Sequence, residues 1–146
     1  GNFIVGSVGG WDWYAIQLAD GSDVMLSFNR DAGNKQYFSY GSYVGSSGQI
    51  TELTDGQFSH QATGSWTSPA TGIVYPSGWT VEIPSQQLQL GLEPTVKSQE
   101  LAFGGKASLD FLDYWEGSVN ICGTRAGVAI AGQGYVELTG YRTGRG

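Results

Sequence analysis

The chain has 146 residues, one domain's length, with 24 Gly, five Trp and eight Tyr but only 14% charged residues. The aromatic content excludes a disordered chain, the glycine content argues against a helix bundle, and a net charge of −6 argues against nucleic acid as a partner. No apolar run approaches the ~20 residues of a membrane helix, and a single Cys (Cys122) and a single His (His60) exclude an intrachain disulfide, a Cys-based zinc site and a His cluster. In chain order, residues 11–18 predict a first strand, Asp20-Gly21-Ser22 a turn, and residues 24–29 its hairpin partner. Residues 37–44 predict a third strand and 50–53 a short fourth, with turns at Ser46-Ser47-Gly48 and Asp55-Gly56. Residues 58–68 predict one long strand, then a loop at 69–72. Alternating apolar and polar residues predict strands at 79–83 and 88–92. Residues 94–105 are looser, and 114–122 and 128–141 predict the last two strands. Gly132 and Gly134 in that last strand predict a bulge or a close backbone approach.

The result is an all-β chain of eight or nine strands joined by sequential turns. Such a meander predicts an antiparallel up-and-down barrel with little helix, since closing a meander removes its edges. One domain spans 1–141, and residues 142–146 are expected to fray.

Three titratable residues share faces that matter. Asp12 alternates with Tyr14, Ile16 and Leu18, a mostly apolar face. His60 alternates with Phe58, Ala62 and Trp66. Glu116 lies with Tyr114, Ser118 and Asn120, opposite Trp115, Val119 and Ile121. A carboxyl in an apolar cavity tends to stay protonated and to serve as an acid. The plainer alternative for each is structural: Asp12 at the barrel rim accepting backbone N–H bonds, His60 and Glu116 hydrogen-bonded or exposed. Trp11, Trp13, Trp66, Trp79 and Trp115 either line a ligand cavity or fill a core. The chain contains no phosphate loop, no Gly-x-Ser-x-Gly elbow and no His-Glu-x-x-His.

Five segments in order carry a resemblance: Gly10-Trp11-Asp12-Trp13-Tyr14-Ala15-Ile16-Gln17-Leu18 with Asp20-Gly21; Trp66-Thr67-Ser68-Pro69 with Thr71-Gly72 and Tyr75-Pro76-Ser77-Gly78-Trp79; Gln99-Glu100-Leu101; Tyr114-Trp115-Glu116-Gly117; and Gly134-Tyr135-Val136-Glu137-Leu138-Thr139-Gly140-Tyr141. Together they resemble the C-terminal lipocalin-like domain of the carotenoid 1,2-hydratase and AttH-like family, also described as predicted secreted hydrolases. The resemblance runs from Phe3 to Tyr141. It implies a lipocalin-like (calycin) barrel, the second of two in tandem, whose partner is the N-terminal barrel of the parent protein. It implies an apolar, isoprenoid-like small-molecule ligand, contact with a membrane surface only through that ligand, and no metal or organic cofactor. A periplasmic or secreted parent is implied as well.

For the hydratases of that family, the resemblance implies a lyase reaction that adds water across a carbon–carbon double bond. Here Asp12 would be the acid, with Glu116 second, and His60 would position the water. Trp13, Tyr14, Trp66 and Trp115 would form the aromatic wall that stabilises a carbocation, with Trp11 and Tyr75 as further ligand-binding residues. The family's Trp-x-Asp-His-type motif, which precedes the Gly-Trp-Asp-Trp strand, is not in this chain, so activity is expected to need the missing N-terminal barrel. The alternative class is a non-catalytic barrel that binds an apolar ligand or braces its partner. Phe3, Ile4, Val5 and Val8 are the sequence's candidates for a patch left bare by the missing barrel.

Overall fold

The computed structural model describes residues 9–102 and 113–142. The candidate patch at Phe3, Ile4, Val5 and Val8 and the tail at 143–146 lie outside these. Among the described residues the strands are β1 (Gly10–Leu18), β2 (Asp23–Arg30), β3 (Gln36–Val44), β4 (Ile50–Thr54), β5 (Ser59–Ala62), β6 (Ser65–Thr67), β7 (Val74–Pro76), β8 (Trp79–Ile83), β9 (Leu88–Pro94), β10 (Glu100–Leu101), β11 (Tyr114–Arg125) and β12 (Val128–Leu138). The helical content is one 3-10 turn, Pro84–Gln86.

One antiparallel sheet runs β4-β3-β2-β1-β12-β11-β9-β8-β5, and β10 pairs with β11. Chain order around the sheet is that of an up-and-down barrel, with the first and last strands, β1 and β12, paired side by side. The β1–β2 turn starts it. Gly21 takes φ +89, which its lack of a side chain allows, and Asp20 Oδ1 accepts from the Ser22 backbone N–H and hydroxyl. That turn sets Asp12 opposite Phe28 and Tyr14 opposite Leu26.

Alternation sorts the side chains. Tyr14, Ile16, Val24, Leu26, Phe28, Val81, Leu90, Trp115, Val119, Ile121 and Val136 are buried inside the curl. Gly132 and Gly134 permit tight β1–β12 pairing, because a Cβ at either would stand 2.4 Å from a β1 carbonyl oxygen. The close approach expected from these glycines is what the structure has, without a break in the ladder.

Two expectations change. The meander does not zip shut, since no ladder joins β4 to β5 among the described residues. On β4 only Leu53 is buried, so that strand gives the seam little apolar surface. The interior bridges the seam instead: Phe28 of β2 stacks on His60 of β5 with ring centroids 3.5 Å apart, past the small buried residues Ser39 and Gly41 of β3. Residues 58–68 are also not one strand. β5 pairs with β8, while β6 leaves the sheet and pairs with β7 as a separate hairpin. The exchange occurs where Thr63 N–H donates to Gly78 O and Ser77 N–H to Gly64 O. Ile73 and Tyr75 of the hairpin are buried in the core, and Tyr75 packs on Tyr141 at the Asp12 end of the barrel.

Candidate functional site

Asp12 enters the barrel on the inner face of β1 with only 5% of its surface exposed. Its Oδ1 accepts from Arg30 Nη1 at 2.7 Å and from the Tyr141 hydroxyl at 2.7 Å. Arg30 is the last residue of β2 and follows a register shift between Asn29 and Arg30. Its remaining donors go to Asn34 Oδ1 and the Thr139 carbonyl, and its guanidinium lies 4.3 Å over the Tyr141 ring. The pair is thus buried, charged and supplied with further hydrogen bonds, the condition under which a buried ion pair is tolerated.

One step deeper on β1, the Tyr14 hydroxyl and His60 Nδ1 are 2.7 Å apart. Burial raises the Tyr14 pKa well above its usual value, and the negative Asp12 adds to this. Burial lowers the His60 pKa, with Arg30 pushing the same way and Asp12 opposing. Both groups are therefore neutral near pH 7, and the hydrogen bond joins a protonated phenol to a neutral imidazole. Around them stand aromatic rings edge to face, Phe28 and Trp79 each 5.9 Å from Tyr14, with Trp115 6.1 Å beyond Trp79.

The hairpin is latched over this end by Glu100. Its carboxylate accepts from the hydroxyls of Ser68, Thr71 and Tyr75. Burial and the Glu100 carboxylate both hold the Tyr75 phenol protonated. Trp66 stacks on Tyr75 at 6.2 Å.

Of the residues singled out from sequence, the structure gathers Asp12, Tyr14, His60 and Trp115 in the interior and puts Trp66 and Tyr75 in the covering hairpin. Glu116 goes elsewhere. It sits on the outer face opposite Glu137, and the Tyr114 and Tyr135 hydroxyls bond to it. Trp11 and Trp13 are also outside, since neighbours on a strand point to opposite faces and Tyr14 points in. They line a shallow surface groove of about 240 Å³ with Ser27, Asn29, Tyr40 and Glu137. Sequence reasoning did not single out Arg30, Phe28, Tyr141 or Glu100. Among the described residues no group of three His, Cys, Asp or Glu side chains is placed to hold a metal ion.

The curled antiparallel meander with an enclosed aromatic core defines a lipocalin-like barrel. The sequence model of the AttH-like family matches residues 2–141, and the chain belongs to that family. A putative AttH of known structure from Nitrosomonas europaea is 32% identical with a TM-score of 0.76, the match covering 97% of this chain and 42% of that one. Kievitone hydratase from Nectria haematococca is 18% identical with a TM-score of 0.72, covering 94% of this chain and 41% of that one, a likeness of fold. The chain thus spans about two fifths of each of these proteins. No curated protein matches the sequence significantly.

Proposed function

We propose that this chain is the barrel of a hydratase-like protein, binding an apolar, isoprenoid-like molecule and contributing to acid-catalysed addition of water across a carbon–carbon double bond. The observation that carries the reading is the Tyr14–His60 pair at 2.7 Å, set beside Asp12 and walled by aromatic rings. That a fold relative is named a hydratase agrees with it. In this reaction Asp12, once released from Arg30 and protonated from solvent, gives that proton to one alkene carbon. The cation on the other carbon is stabilised by the faces of Tyr14 and Trp115. A water held by His60 adds there, and its surplus proton returns to Asp12. The role requires Arg30 to release Asp12 and the β6–β7 hairpin to admit the ligand. The rest of the parent protein, the other three fifths by the measure of its relatives, completes the site.

A second reading has its own observation. Asp12 is already held by Arg30 and Tyr141, and the rings around Tyr14 are tightly packed. That suits a non-catalytic barrel, which binds an apolar ligand or braces the rest of the protein.

One experiment separates them. The full-length parent is incubated with geranylacetone, an isoprenoid ketone whose last isoprene unit carries a trisubstituted double bond, and the product heavier by one water is followed by mass spectrometry. Asp12→Asn should lower turnover about 10²-fold or more, the range of a general acid, with ketone binding retained. A variant destabilised by about 3–5 kcal/mol, the cost of breaking a buried ion pair, but fully active per folded molecule removes Asp12 from the mechanism. Binding without any hydration favours the non-catalytic reading.

A further inference from the structure

Nearly every polar atom at the aromatic end of the barrel has a partner. Tyr14 meets His60, Asp12 meets Arg30 and Tyr141, Tyr75 meets Glu100, and the Trp115 indole N–H donates to the Lys97 carbonyl at 2.8 Å. Trp79 is the exception among these groups, and the buried Ser77 hydroxyl two residues before it also has no partner among the described residues. Trp79 is 1% exposed, it stands between Tyr14 and Trp115, and its indole Nε1–H has no acceptor among the described residues. An indole can only donate, so nothing in its own chemistry compensates. Buried donors are almost always satisfied, and one left over inside a candidate binding site is a mark of a missing partner.

We propose that Trp79 is a ligand-anchoring residue: its indole N–H donates to an oxygen of the bound molecule, a carbonyl or a hydroxyl, while Tyr14 and Trp115 pack the apolar body beside it. The ligand class is therefore an apolar molecule bearing an oxygen acceptor, in preference to a pure hydrocarbon. This rests on the reading of the barrel interior as an apolar-ligand site. It names a specificity-determining contact in that site. A pocket that offers a buried donor discriminates against the analogue lacking the acceptor, because the donor then stays unpaired.

Backbone geometry fixes where Trp79 stands. Trp79 opens β8 directly after Gly78, whose φ of +87 and close neighbours Glu93 and Thr63 hold the chain where the β6–β7 hairpin rejoins the sheet. The β8–β9 ladder fixes Trp79 opposite Leu92. The indole is thus held by backbone pairing and ring packing, with no hydrogen bond from its N–H among the described residues.

The test compares geranylacetone with the hydrocarbon in which its carbonyl is a CH2 group. Each is titrated into the ¹⁵N-labelled full-length parent, and the indole N–H signals are followed by NMR. The Trp79 signal is the one missing from Trp79→Phe, a variant that keeps an aromatic ring and loses the donor. The ketone should move the Trp79 signal downfield and bind roughly 3- to 10-fold tighter than the hydrocarbon, the span of one hydrogen bond. In Trp79→Phe the ketone should lose its preference and the two should bind alike. If the ketone binds and the Trp79 signal stays put, or the preference survives in Trp79→Phe, the proposal is wrong and the apolar-site reading stands. If neither molecule binds, both fall together. Should Trp79→Phe not fold, the signal is assigned through its own ring protons and the shift in the unmodified chain decides.

Discussion

Each end of the barrel is tied by an arginine, an aspartate and a tyrosine, and the two ties are built for different work. At one end Arg30 bonds Asp12, with side chains 10% and 6% exposed, and lies over Tyr141. At the other Arg125 bonds Asp20, with side chains 27% and 39% exposed, and lies 5.4 Å from the Tyr43 ring centre. Arg125 spreads its donors over Asp20, Ser22, Tyr43 and the Gln86 carbonyl, pulling three segments together in contact with water: the β1–β2 turn, β3 and the 3-10 turn. Arg30 instead delivers a charge to the edge of an aromatic core, where it faces Asp12 and biases His60. The same residue types make a clasp where solvent screens them and a polarised site where it does not.

The comparison is broken most severely by Arg30→Met. Asp12 would be left buried with Tyr141 as its partner, and loss of one member of a buried ion pair costs about 3–5 kcal/mol. The paired change Arg30→Met with Asp12→Leu should recover most of that, since two apolar groups replace two charges. Arg125→Met should cost far less. Urea unfolding of the three variants measures the contrast, and equal losses for the two arginines would show that burial does not distinguish the ends.

How far sequence could see this end of the molecule depends on the kind of signal. The inner face of β1 was legible from alternation alone, which placed Asp12 with Tyr14, Ile16 and Leu18. Arg30 was legible in principle: the turn at Asp20-Gly21 sets Gly10 opposite Arg30, so counting the register puts Arg30 beside Asp12. Alternation says which residues share a face but not which face is inside. Glu116 and Trp115 were correctly set opposite each other, yet it took packing to show that Trp115 turns in. The long strand at 58–68 failed for a different reason. Its alternation is continuous, and only the backbone exchange between Thr63-Gly64 and Ser77-Gly78 diverts the chain into the hairpin. The Tyr14–His60 contact joins residues 46 apart across the barrel, a closeness that no local pattern encodes.

The pH dependence sharpens the comparison by a smaller amount. Burial holds the His60 pKa below 6.5, so the unfolded chain binds the proton more readily than the folded one. The His60 contribution to stability is then complete above pH 6.5 and is lost as pH falls through the folded-state value. Stability should fall as pH drops from 6.5 to the folded-state value, by at most the one-proton slope of about 1.4 kcal/mol per pH unit, and level off below it. His60→Asn keeps an acceptor for the Tyr14 hydroxyl and cannot titrate. Its stability should be flatter over the same range in melts at several pH values. An identical slope would assign the acid sensitivity to another group.

The smallest effect belongs to Asp20 at the exposed end. Its pKa is lowered first by the hydrogen bond from the Ser22 hydroxyl, with the Ser22 backbone N–H and Arg125 helping and partial burial opposing. A lowered folded-state pKa stabilises the fold above about pH 3.8, and that stability is lost as pH falls through the folded-state value. Water screens the Arg125 contact, so Asp20→Asn should cost less than about 1 kcal/mol at pH 7. The amide oxygen still accepts from Ser22, which preserves the turn. Added salt should shrink the difference further, because exposed charges are screened within ~10 Å at 0.1 M. The buried Asp12–Arg30 pair should not respond to salt in this way. Melting temperatures of Asp20→Asn and of Arg30→Met, each against the unmodified chain at low and high salt, test both halves. A cost for Asp20→Asn that is large and independent of salt would mean that the exposed clasp is energetically a buried one, and the distinction between the two ends would fail.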